Sequence, residues 1–115
     1  MNLTYAVDRL YDSGWQPEED SADAPLERLP DARLYPSVPA VVREFAEAGF
    51  ALTVRHTPAF NCYRATWAPA GEQLDEKHAA DESHGTVIGT CQREAAVYAL
   101  AQHREMQGVT RMAMA

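Results

Sequence analysis

The sequence predicts an α+β domain, a three-stranded antiparallel sheet with helices packed on one face in the order α-α-β-β-β-α. Three observations carry this. Residues 3–13 and 38–48 repeat apolar side chains at the helical period, and each run stops at a glycine followed by an aromatic residue. Residues 50–56 and 62–68 alternate apolar and polar on either side of a hairpin-length turn. Residues 85–89 read as a third short strand handed directly to a C-terminal helix.

In the first helix Leu3, Val7, Leu10 and Tyr11 share a face, Asn2 is the N-cap and Gly14 the C-cap, with Trp15 packing back. Residues 16–36 hold Pro17, Pro25, Pro30 and Pro36 and show little periodicity, which predicts a long connection. Leu26, Leu29, Leu34 and Tyr35 hold its second half against the body. Ser37 caps the second helix, with Pro39 tolerated in its first turn. Its apolar face is Val38, Val41, Val42 and Phe45.

The alternation then sets the two faces of the sheet. Phe50, Leu52, Val54, Tyr63, Ala65 and Trp67 face the core. Ala51, Thr53, Arg55, Cys62, Arg64 and Thr66 face the other way, around the turn Thr57–Asn61. Residues 69–84 form a polar, acidic loop. The last helix, 91 to about 106, carries Ala96, Ala99, Leu100 and His103 on its core stripe; Gly108 stops it and the tail frays. The expected organisation is one domain: a helix and acidic, proline-rich connection (1–36), an α-β-β-β-α body (37–107) and a tail (108–115).

A chain of 115 residues with 46% hydrophobic composition can bury a modest core without a metal or disulfides. No apolar run approaches the ~20 residues that span a bilayer, and the start lacks the pattern of a signal peptide. Cys62 and Cys91 fit reduced structural thiols, which suits the cytoplasm. The net charge is −7, concentrated in residues 12–31 and 72–82. Such a chain repels nucleic-acid phosphates at long range and favours either plain solubility or a basic protein partner.

The strand-to-helix joint Gly89-Thr90-Cys91-Gln92-Arg93-Glu94 is the strongest local signal. Glycine allows a tight turn, Thr90 or Cys91 sits at the cap, and Glu94 in the first turn favours the positive helix end by ~0.3–1 kcal/mol. Gly89, Cys91, Ala95 and Ala99 resemble the start of the last helix in double-stranded-RNA-binding domains, whose helix, three strands and helix follow the same order. That family grips phosphates with two lysines where this chain has Gln92 and Arg93, so the resemblance implies the fold and speaks against RNA binding. The spacing of Gly89, Glu94 and Ala95 is also similar to HicB-type antitoxins, which implies an acidic binder of a basic toxin.

Phosphate-binding glycine loops, zinc CxxC pairs and HExxH are absent from the sequence. His78, Asp81 and His84 are weak metal candidates in the acidic loop, and no cofactor is expected. His56 and Cys62 fall on opposite strand faces and make no catalytic pair. Thr53, Arg55, Arg64 and Thr66 on the open sheet face form the candidate binding surface. The expectation is a non-enzymatic protein-interaction or regulatory module of bacterial or phage origin. The alternatives are a divergent nucleic-acid binder and a small metal-dependent enzyme.

Overall fold

The computed structural model describes residues 3–17, 26–70 and 85–114, with side chains followed to Met106. Its elements are α1 (Leu3–Asp12), β1 (Leu26–Arg28), β2 (Leu34–Pro36), α2 (Val38–Glu47), β3 (Phe50–Thr57), a 3-10 turn (Pro58–Phe60), β4 (Cys62–Pro69), β5 (Gly85–Gly89) and α3 (Gln92–Met114). The class is α+β, and the three-stranded antiparallel sheet runs in the order β3-β4-β5.

Both early helices end as their glycines predict. Gly14 donates to the Tyr11 carbonyl at 3.0 Å and Trp15 to the Leu10 carbonyl at 3.4 Å, the paired bonds of a Schellman stop. Gly49 makes the first of these bonds, donating to the Ala46 carbonyl at 3.0 Å, with a φ of +90°. At the start of α2 the Ser37 hydroxyl accepts from Ala40 N at 3.3 Å.

Helix α3 is the hub. It packs on the sheet, on α2 and on α1. Ala95, Ala96, Val97, Ala99, Leu100 and Ala101 are buried together with Leu52, Ala65, Trp67 and Val87 of the sheet and Ala6, Val7 and Leu10 of α1. Small side chains on α3 let its backbone approach the sheet closely. Arg9 clamps α1 to α3 through Glu105 (Nε to Oε1, 3.0 Å), and Arg104 Nε reaches back to Ser13 Oγ at 3.1 Å.

Four expectations are corrected. The 16–36 connection contains a hairpin, with β1 and β2 paired Leu26–Pro36, Glu27–Tyr35 and Arg28–Leu34. Three-residue strands are too short to show alternation, and the prolines mask them. Tertiary contacts fix the hairpin: Tyr11 Oη donates to the Leu34 carbonyl at 2.6 Å, and Leu29 and Tyr35 are buried. In α2, Val42 points outward and Ala40 joins Val41 and Phe45 in the core, because the sheet and α3 approach from that side. Helix α3 runs through Gly108 to Met114. An interior glycine costs a helix about 1 kcal/mol relative to alanine, which weakens it without stopping it. As expected of reduced thiols, both cysteines are free, and each is half-buried.

The fourth correction concerns the joint. Gly89 does not adopt a positive φ. It is needed because a Cβ there would stand 2.6 Å from Ala95 N and 3.0 Å from Ala95 Cα. Strand β5 thus ends directly against the backbone of the first turn of α3. Of the two cap candidates, Cys91 takes the N-cap position just before Gln92. Cys91 Sγ accepts from Glu94 N at 3.4 Å, while the fully buried Glu94 carboxylate accepts from Thr90 N at 2.6 Å and from the Thr90 hydroxyl. This is a capping box with sulfur as the cap acceptor and its return bond shifted one residue back.

Candidate functional site

The site is built from the register of the sheet. Strand β3 pairs with β4 so that Thr53 lies opposite Thr66 and Arg55 opposite Arg64. Strand β5 extends both rows, with Thr86 beside Thr66 and Ile88 beside Arg64. Period-2 alternation puts all six on the face away from the helices. The four residues singled out from the sequence, Thr53, Arg55, Arg64 and Thr66, therefore sit together as two adjacent rows. Sequence reasoning missed Thr86 and Ile88, although the alternation around buried Val87 carries the signal.

Arg55 and Arg64 are both exposed, and directly opposed side chains lie ~4.5–5.5 Å apart at Cβ. Like charges placed this way repel and destabilise the strand pair. Elsewhere four arginines meet carboxylates: Arg9 meets Glu105, Arg33 meets Asp8 and Asp31, Arg43 meets Glu47, and Arg93 meets Glu27 at 3.0 Å. Among the described residues, no carboxylate meets Arg55 or Arg64. Beside them Ile88 leaves 50% of its surface in solvent. A cationic pair, an exposed aliphatic side chain and a ladder of three threonine hydroxyls make a flat surface able to receive carboxylates and aliphatic groups at once.

At the adjoining hairpin tip Phe60 is 79% exposed, and Asn61 holds a left-handed φ of 48°. His56 stacks on Tyr63 (centroids 4.9 Å) and approaches Asn61 Oδ1 at 3.4 Å, on the other face from Cys62, which pairs with Thr57. Arg93 is engaged by Glu27 and Gln92 is uncharged, so the start of α3 offers no free cation to a phosphate.

A second polar cluster lies inside. His103 is 6% exposed, ringed by Phe45 (4.8 Å), Phe50 (4.6 Å, edge-on) and Trp67 (6.0 Å). Among the described residues, neither His103 Nε2 nor Trp67 Nε1 has a hydrogen-bond partner. Burial, with a smaller contribution from Arg104, holds the His103 pKa below the ordinary histidine value. Its described ring neighbours are the core aromatics Phe45, Phe50 and Trp67.

His78, Asp81 and His84 lie outside the described residues. Among those described, no group of three or more histidine, cysteine or acidic side chains is placed to hold a metal. No described helix is long and apolar enough to cross a membrane. The chain matches no family model, no curated protein and no solved structure.

Proposed function

We propose that this chain is a non-enzymatic protein-interaction or regulatory module that docks its partner on the open face of the β3-β4-β5 sheet. The supporting observation is the pair Arg55 and Arg64, opposed across two strands and met by no carboxylate among the described residues, whereas Arg9, Arg33, Arg43 and Arg93 each hold one. A like-charge pair that weakens the isolated sheet gains a use when a partner supplies the missing carboxylates. Arginine is also enriched at protein interfaces.

The partner is basic overall. A chain of net charge −7 attracts such a protein at long range, which raises the rate of encounter. The arginine pair then fixes register by meeting local carboxylates. The free thiols of Cys62 and Cys91 suit work in the cytoplasm. Reading the chain as a nucleic-acid binder gains no support from α3, where Arg93 is already committed to Glu27.

The test is co-purification from the native host at low salt, comparing the native chain with the Arg55→Glu/Arg64→Glu double variant. A basic protein retained by the native chain and lost from a variant of unchanged circular dichroism supports the proposal. Equal recovery with both chains, or repeated recovery of nothing, counts against it.

A further inference from the structure

Strand β5 is an edge of the sheet, and among the described residues no strand pairs with its outer side. Proteins blunt edge strands with charge, proline or a bulge. Strand β3, the opposite edge, carries Arg55 and His56 and runs into Pro58. Strand β5 is Gly85-Thr86-Val87-Ile88-Gly89, with no charge, no proline and three β-branched residues in succession. It pairs with β4 along its whole length without a bulge. Among the described residues, no other strand pairs with it, and no turn, loop or cap makes a backbone bond to it. Its one large open-face side chain, Ile88, is the half-exposed neighbour of Arg64.

We propose that β5 accepts an extended segment of a partner protein as a fourth strand, one carrying an aliphatic residue against Ile88 and an acidic residue that reaches across to Arg64. This rests on the open-face reading and adds the mode of docking: backbone pairing supplies affinity and the open-face side chains supply specificity.

A second copy of this chain is the less suitable occupant. An isologous β5–β5 pair centred on Val87 places Thr86 of one copy opposite Ile88 of the other, brings no carboxylate to Arg64, and joins two chains of net charge −7. Charge complementarity selects a strand that carries the missing acid.

The test uses the full chain and three synthetic peptides. One alternates valine and threonine around a central glutamate; the second has lysine in place of the glutamate; the third has a proline in mid-strand. Binding is read by amide hydrogen exchange at residues 85–89 and by titration. The expected result is slowed exchange of β5 amides with the glutamate peptide, loss of that protection with the proline peptide, and binding weakened roughly tenfold or more by the lysine peptide or by Arg64→Glu. Absence of β5 protection at millimolar glutamate peptide, or equal binding of the lysine peptide, overturns the inference. Sedimentation showing a dimer of the chain alone that Ile88→Lys abolishes also overturns it, by assigning the edge to a second copy. In the co-purification above, a partner lost with Arg55→Glu/Arg64→Glu but kept with Ile88→Lys leaves face docking standing while strand addition fails.

Discussion

Replacing Gly89 with alanine tests the claim that this glycine is needed for space rather than for backbone freedom. The new Cβ would stand 2.6 Å from Ala95 N, 3.0 Å from Ala95 Cα and 3.2 Å from the Glu94 carbonyl carbon. All three are backbone atoms of α3, so no side chain can swing away. A comfortable non-bonded approach begins near ~3.5 Å, so the helix must retreat by roughly 0.9 Å. Retreat is opposed because Ala95, Ala96 and Ala99 are fully buried against the sheet and α1. Overpacking of this kind costs about 1–3 kcal/mol. In a domain of this size that lowers Tm by about 4–12 °C.

The control is Gly49, where φ is +90° and nothing lies within 4 Å of the added Cβ. Alanine there costs about 1–2 kcal/mol through the left-handed backbone. The two mechanisms part at asparagine, which tolerates the left-handed region but is larger than alanine. At position 49 asparagine is expected to be better than alanine; at position 89 it is expected to be worse. Any gain from restricting the unfolded chain acts similarly at both sites and drops out of the comparison. Urea and thermal denaturation followed by circular dichroism measure all four variants. A Gly89→Ala protein within about 0.5 kcal/mol of the native chain refutes the close-contact argument, as does asparagine outperforming alanine there.

Three further outcomes are expected. Glu94→Ala removes the acceptor of both Thr90 bonds from a buried site and should cost about 2–4 kcal/mol, with Glu94→Gln costing less; a loss below ~0.5 kcal/mol in urea denaturation contradicts the capping role. The depressed pKa of His103 means the unfolded chain binds a proton that the folded chain resists. Stability should therefore fall as pH drops through 6.5, the ordinary histidine value, and His103→Phe should flatten that slope; an unchanged slope between pH 5 and 7.5 rejects it. Ala32 holds a φ of 77° in the β1–β2 turn, so Ala32→Gly should stabilise by about 0.5–1 kcal/mol, and a Tm at or below the native value is the contrary result.

The sequence by itself determined the elements that local chemistry specifies. Helical spacing around Val7 and Leu10, and around Val41 and Phe45, needs no neighbour to be read. The glycine-aromatic stops at Gly14-Trp15 and Gly49-Phe50 supply their own bonds within six residues. Alternation from Phe50 to Val54 and from Tyr63 to Trp67 assigns each side chain to a face, because a strand has period two whatever covers it. That is why the open-face residues Thr53, Arg55, Arg64 and Thr66 were legible.

The tertiary structure decided what depends on how elements meet. The opposition of Arg55 to Arg64 is a matter of register, set by the Pro58–Asn61 turn, and one residue of slip would undo it. The β1–β2 hairpin exists through Tyr11 and the buried Leu29 and Tyr35, not through its own three-residue strands. Val42 faces solvent because the sheet and α3 lie on the other side of α2. Gly89 looks like a turn glycine in one dimension and is a contact glycine in three. Its reason is the backbone of Ala95, six residues along the chain but 2.6 Å from where a Cβ would stand.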